Sequence, residues 1–375
     1  MKIRFTPIAS ALSLSVGLLM ASAAHADTIK VAIAGPFTGA VTQYGDMVKQ
    51  GVDTAIEQIN ASGGVLGKQL EAVTLDDGCE PKQAPVVANR VINDGINYVI
   101  GHVCSGATIA ATDIYNNEGI VMISPSATAP AVTDGKGYET IFRTIGRDDQ
   151  QGPAAADFII NQLKPKKVAI LHDKQSYGQG IAASVRKELE AAGYEDILFE
   201  GINAGDTDYS AVITKLKASG ADFVYYGGYH PEMGLLLRQG AEQGLDVTMM
   251  GPEGVGNPDI NAIAGQSVEG MLLTLPADFS QDPDNAAIVK AFEDKGRDAS
   301  GAFQLSAYAA TQALVAGLEG VGEDDPLKVA EWLHTNEVKT PIGVLSWNEQ
   351  GDLNEFKFDV FQWNTDGTKT VYGQQ

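Results

Sequence analysis

Basic residues are the scarce class in this sequence. The 26 lysines and arginines are outnumbered by 48 aspartates and glutamates, and the formal net charge is −22. A field of that sign repels phosphate backbones and anionic lipid surfaces, so nucleic acid is excluded as an expected partner. Histidine is rare as well, with five in the chain. His102, His172, His230 and His334 show no metal-ligand spacing such as H-x-x-x-H, and neither a metal nor a cofactor is expected. There is no G-x-S-x-G elbow. His102, three residues before Ser105, lies in an apolar strand-like run, which is the setting of a satisfied core histidine more often than of a catalytic base. Beyond the first 26 residues no run approaches the roughly 20 apolar residues that a membrane span needs. Charged residues make up only 20% of the chain against 44% hydrophobic, which excludes disorder and coiled coil. At roughly 100–200 residues per domain, the length suggests two globular domains.

Residues 1–26 have a different character. Lys2 and Arg4 form a short positive region, Pro7 to Met20 is an apolar stretch too short and broken to span, and Ala24-His25-Ala26 fits a small-x-small cleavage pattern. This predicts a secretory signal peptide removed before Asp27, with no cysteine there to carry a lipid and no membrane insertion of the mature chain. Export bears on Cys79 and Cys104, the only cysteines. In an oxidising compartment two cysteines most simply form one structural disulfide, here closing a 25-residue loop and worth about 3 kcal/mol. A catalytic thiol pair is the alternative, although the spacing is not C-x-x-C.

Short runs rich in Val, Ile and Tyr alternate with helical-period segments, the pattern of βαβ units and a parallel sheet. Strands are expected at Ile29 to Ala34, Gln69 to Leu75, Tyr98 to Val103 and Ile120 to Ser124, with helices at Gly45 to Ala61, Pro81 to Asp94 and Ser105 to Asn117. This order recurs. Lys30-Val31-Ala32-Ile33 followed by Tyr44-Gly45 is matched by Lys167-Val168-Ala169-Ile170 followed by Tyr177-Gly178. The strand from Tyr98 leading into Cys104-Ser105 is matched by Asp222 to Gly228 leading into Tyr229-His230, and Val121-Met122-Ile123 before Pro125 by Thr248-Met249-Met250 before Pro252. The chain therefore reads as α/β, with two similar open parallel-sheet lobes.

In such sheets ligands bind beyond the carboxyl ends of the strands. The residues that follow those ends are Tyr44, Cys104-Ser105, Ser126 to Thr128, Tyr177, Tyr229 and Glu253, and they are expected to line one crevice. Ser105 stands in an N-cap-like position where hydroxyl and backbone N–H groups converge, an anion site built without lysine or arginine. Glu253, between glycines in a turn, would pair with an ammonium. An anion site opposite a carboxylate suits a zwitterionic α-amino acid, with the tyrosines walling an apolar pocket. Two motifs fall short: Gly178 to Ala183 matches G-x-G-x-x-A but starts after the chain has left its strand, and Gly63 to Lys68 is a P-loop spaced one residue short.

The segments DDGCEPKQA (76–84), YVIGHVCSGAT (98–108), SPSATAP (124–130), HDKQSYGQG (172–180), DFVYYGGYHPEMG (222–234) and GPEGVGN (251–257) carry a resemblance across essentially the whole mature chain. They are similar to those of the periplasmic Leu/Ile/Val-binding proteins, type I solute receptors of branched-chain amino acid ABC importers. The resemblance implies a three-segment hinge, with lobe 1 formed by 27–146 plus 277–358 and lobe 2 by 147–276 plus 359–375. It implies that the ligand carboxylate meets Ser105 and Thr128, and the ammonium meets Glu253, the Ser126 carbonyl and the Thr128 hydroxyl. Tyr44, Val103, Cys104, Tyr177, Tyr229 and Phe303 would surround the aliphatic side chain, and Cys79–Cys104 would match the family's disulfide. Ser126 departs from the alanine expected in close relatives, which bears on fine selectivity. The implied protein is a monomeric, non-enzymatic periplasmic receptor that delivers Leu, Ile or Val to a membrane permease. A related receptor for aromatic amino acids or small amides is the nearest alternative, and an exported amidase is the alternative from another class.

Overall fold

The computed structural model describes Met1 and residues 28–373. The expected signal peptide falls, but for Met1, outside them. The chain begins with β1 (Thr28–Gly35), α1 (Thr42–Ala61), β2 (Gln69–Asp76), α2 (Ala84–Asn93), β3 (Tyr98–Gly101), α3 (Ser105–Asn117), β4 (Val121–Ser124) and β5 (Ile141–Arg143). These strands form one parallel sheet in the order β2-β1-β3-β4-β5. Next come α4 (Asp148–Phe158), β6 (Val168–His172), α5 (Ser176–Ala191), β7 (Asp196–Gly201), α6 (Ser210–Ser219), β8 (Phe223–Gly227), α7 (His230–Glu242), β9 (Thr248–Gly251), α8 (Asp259–Ala264) and β10 (Leu272–Pro276). They repeat the first order strand for strand, as β7-β6-β8-β9-β10. The chain then returns to the first sheet with α9 (Ala286–Glu293), α10 (Gln304–Val321), α11 (Pro326–Thr335) and the hairpin β11 (Val338–Thr340) and β12 (Gly343–Leu345). Finally β13 (Phe358–Trp363) and β14 (Lys369–Val371) extend the second sheet to seven strands.

Strands such as β4 and β8 are buried along their whole length because helices cover both faces, so they read as continuous apolar runs rather than alternating ones. The second sheet is not wholly parallel. β13 runs antiparallel to β10, and β14 to β13, because the chain re-enters from the opposite direction and turns back by a short hairpin. Expected and observed boundaries differ by more than one residue at three places. The first helix starts at Thr42 rather than Gly45, α2 starts at Ala84 rather than Pro81, and β3 stops at Gly101 because that residue's φ of +129° turns the chain out of the ladder.

Helix α10 is buried almost all round, with its early turns laid across α1. Gly51 permits that crossing: a Cβ there would stand 2.2 Å from the Gln304 carbonyl oxygen. The chain passes between the sheets three times, after β5, after β10 and before β13. A buried ionic clasp ties the first and third passages. Arg143 donates through Nε to Asp352 Oδ1 at 2.6 Å, and Arg147 donates to Asp352 Oδ2 at 2.6 Å. Trp347 Nε1 donates to the Arg143 carbonyl at 2.7 Å. The Cys79–Cys104 disulfide, with Cα atoms 5.4 Å apart, ties the turn after β2 to the residue before α3.

Candidate functional site

Both sheets end their strands on the same crevice, and its walls meet. Tyr44, Val103, Ser105, Ser126, Tyr177, Tyr229, Glu253, Gly254 and Phe303 line a narrow cavity whose free volume, with the walls in contact, is about 10 Å³. Thr128 and Cys104 are buried beside it, Thr128 against Glu253 and Cys104 on the outer mouth of the crevice with Gly106 and Pro231. The expected residues are therefore gathered in one place, eight of them on the cavity wall and two at its margin.

On the five-stranded side the polar groups are tied into their own wall. Ser105 is the first residue of α3 rather than its cap; the cap position belongs to Cys104, in extended backbone, with no side-chain cap bond. The first-turn N–H groups of α3 are thus not claimed by a capping side chain, which favours an anion there. Ser105 Oγ accepts from Ala129 N at 3.3 Å. Ser126 Oγ donates to the Val103 carbonyl at 3.0 Å, so the extra hydroxyl is engaged within its own wall. His102 is fully buried between Asp77 Oδ2, at 2.5 Å, and Tyr115 Oη, at 2.9 Å, a satisfied core histidine as its setting predicted.

On the seven-stranded side Glu253 is 2% exposed in the turn after β9. Its Oε1 accepts from Thr128 Oγ1 at 3.3 Å, across the crevice, and its Oε2 has no hydrogen-bond partner. Burial raises the Glu253 carboxyl above the ordinary carboxylate range, while the hydrogen bond from Thr128 pulls the other way. Gly254 is held by two tyrosines. Its N–H donates to Tyr177 Oη at 2.9 Å and its carbonyl accepts from Tyr44 Oη at 2.7 Å, the second bond joining the two walls. A Cβ at Gly254 would come within 2.6 Å of the Gly228 carbonyl and 2.7 Å of the Tyr177 ring, so only glycine fits. Tyr44 packs against Tyr229 and Phe303 with ring centroids 6.1 and 5.5 Å apart, and Tyr177 against Tyr229 at 5.1 Å. Burial, followed by the Glu253 charge, holds Tyr44 and Tyr177 well above the usual phenol range, so they serve as neutral walls. Burial pushes His230, edge-on to Tyr44, down to about 4.

One acidic residue was not anticipated. Asp148, the first residue of α4, is 1% exposed and neither carboxylate oxygen has a hydrogen-bond partner. In the sequence Asp148-Asp149 reads as ordinary acid at a helix N-terminus, and only the packing separates the buried member from Asp149, which pairs with Arg147 at 2.7 Å. The G-x-G-x-x-A match starts in the first turn of α5, after the turn that joins it to β6 rather than within that turn. Among the described residues no cluster of His, Cys, Asp or Glu could hold a metal ion, and no helix is long and apolar enough to cross a membrane.

The profile of the periplasmic binding proteins matches residues 28–368. A Pseudomonas aeruginosa leucine-, isoleucine-, valine-, threonine- and alanine-binding protein is 58% identical over 345 residues, covering 92% of each chain. The Leu/Ile/Val-binding protein of Escherichia coli K12 is 49% identical over 355 residues, 95% of this chain and 96% of the relative. Among solved structures, the branched-chain amino acid transporter substrate-binding protein LivJ of Streptococcus pneumoniae, in complex with isoleucine, superposes with a TM-score of 0.83 at 26% identity, over 92% of this chain and 98% of that one.

Proposed function

The chain belongs to the periplasmic binding protein family, and from that membership we propose that it is an extracytoplasmic receptor that closes on Leu, Ile or Val and delivers them to an ABC importer permease. The observation that carries this reading is the cavity itself: an aromatic box bounded at one end by Ser105 and an uncapped helix, at the other by Glu253. An α-carboxylate suits the first end and an α-ammonium the second, and only an uncharged side chain suits the rings, since a charged one would be buried without a partner. In this pose the carboxylate meets Ser105 and Thr128, and the ammonium meets Glu253, the Ser126 carbonyl and the Thr128 hydroxyl. Tyr44, Val103, Cys104, Tyr177, Tyr229 and Phe303 surround the side chain.

The receptor has two lobes in the proposal, 27–146 with 277–358 and 147–276 with 359–375. The three passages between the sheets support that division. Ligand docks on the first lobe, and the second closes over it, adding Tyr177, Tyr229 and Glu253; only contacts made in the closed form shift the population toward it. The permease reads the closed shape. The protein works as a periplasmic monomer and turns nothing over.

The test is calorimetric titration of protein unfolded and refolded to strip carried-over ligand, with Leu, Ile, Val, Thr, Ala, Phe and Glu in turn. One-to-one binding of Leu, Ile and Val, within about two decades of one another because a methylene is worth only about 1–3 kcal/mol, supports the reading. Thr and Ala are included because the Pseudomonas relative is named for them. No heat from any amino acid, in protein shown to be folded, sinks it.

A further inference from the structure

We propose that Asp148 is a second carboxylate of the ammonium end and stands in the closed, amino-acid-bound site as a neutral acid, so that closure over the ligand takes up one proton. The proposal rests on the receptor reading above and assigns that site a residue and a charge state.

Asp148 is placed by its backbone. Its N–H donates to the Thr128 carbonyl at 2.9 Å, and its carbonyl accepts from Ser184 Oγ at 3.1 Å, which anchors the residue next to Thr128, the partner of Glu253. Two carboxylates, 1% and 2% exposed, then face one threonine hydroxyl. A hydroxyl has one proton to give, and here it goes to Glu253. The titratable or charged groups facing Asp148 are Glu253 from the turn after β9, Arg143 from β5, Asp149 from its own helix, and Tyr177, Tyr225 and Tyr229 from α5, β8 and the loop after β8. The tyrosines are held neutral by burial. Arg143 is the one cation among them, and its donors are committed elsewhere: to Asp352, to the Ala127 and Ala129 carbonyls, and to Thr133.

An incoming ammonium supplies one positive charge. It offsets one buried carboxylate, and a second ionised one would remain in the same closed space without a cation, which is strongly disfavoured. Protonation is the cheaper outcome. Glu253 has the Thr128 hydrogen bond to support its ionised form. Neither Asp148 oxygen has a hydrogen-bond partner, and burial and the Glu253 charge outweigh the pull of Thr128 and Arg143 to push it well above the ordinary carboxylate range. The proton therefore belongs on Asp148. Both acids lie on elements of the seven-stranded side, and when the walls separate both face water and ionise. Closure without an amine would bury two uncompensated acids, so the pair also disfavours empty closure.

The experiment is calorimetric titration of the full chain with leucine at pH 7.5, in phosphate and in Tris, whose protonation enthalpies differ, for wild type, D148N and D148E. The expected result is uptake near one proton per leucine in wild type and in D148E, and near zero in D148N. Over pH 6–8 the wild-type Kd should rise about tenfold per pH unit, and that of D148N should stay within about threefold. Leucine binding by wild type without proton uptake overturns the proposal and leaves the receptor reading standing. Uptake that survives in D148N places the proton on another group, such as Asp173, and also overturns it. Absence of leucine binding by stripped, folded wild type is a failure of the receptor reading instead. If D148N does not fold, absence of uptake in wild type, or its loss in D148E, overturns the proposal.

Discussion

Ser105, Ser124 and Ser126, on the five-stranded side of the cleft, all find hydrogen-bond partners within their own wall. Across the cleft Asp148, Glu253, Tyr225 and Thr274 hold buried oxygens with no partner. The contrast extends through the described residues: of the buried side-chain polar atoms left unpartnered, only those of Gln50, Gln304 and Gln312 lie on the five-stranded side. Two buried aspartates make the same point. Asp77 is paired with His102 and with the Cys79 N–H, whereas Asp173 accepts from Gln175 N through Oδ1 and leaves Oδ2 unpaired. One wall has its serine hydrogen bonds complete before ligand arrives, and the buried acids of the other are completed by ligand or by protons. Buried polar groups without partners are costly, so the seven-stranded wall is the one whose closure depends on what is bound.

The strongest way to break this comparison is at Glu253. E253A should weaken leucine binding by about 2–5 kcal/mol, because the enclosed ammonium loses its charged partner; an unchanged Kd by calorimetry would refute the proposed pose. Next is Asp173, whose carboxyl burial pushes up to about 7. A folded-state value above the unfolded one means that stability is full below the unfolded value near pH 4 and is lost as pH rises toward 7. D173N should therefore gain roughly 3–4 kcal/mol in urea unfolding at pH 8 and almost nothing at pH 4. Equal gains at both would show that charge is not the cause. On the complete wall the effects should be smaller. S105A should cost roughly 2 kcal/mol of leucine affinity through one hydrogen bond to a charged group, without changing the pH dependence of binding. The smallest is Y44F, which removes a bond made only when the walls meet and should weaken binding by about 1 kcal/mol; a larger loss would shift weight from the ligand to the wall contact.

The repeated strand order was readable because buried parallel strands leave continuous apolar runs, and the residues after strand ends were readable because topology alone sends them to one crevice. Phe303 follows no strand and was reached through the family resemblance. Asp148 was not readable at all. Its neighbour Asp149 has the same local sequence setting, and the difference between a solvated acid and a buried one is made by Thr128, Ser184 and Glu253, from elements far away in the chain. The antiparallel strands β13 and β14 were missed for a related reason: what they join is decided by where the chain re-enters.

The crossing of α1 by α10 at Gly51 has a consequence in time. A ribosome making this chain completes all five strands of the first sheet by Arg143, yet must add the 178 residues to Val321 before α10 is finished. At about 5–20 residues per second that is roughly 10–35 s, during which α1 lacks the helix that crosses it at Gly51. A nascent chain shorter than about 300 residues thus holds the strands of a first sheet without a finished half of the protein. Its early segment stays accessible to chaperones and to export machinery until nearly the whole sequence has been made.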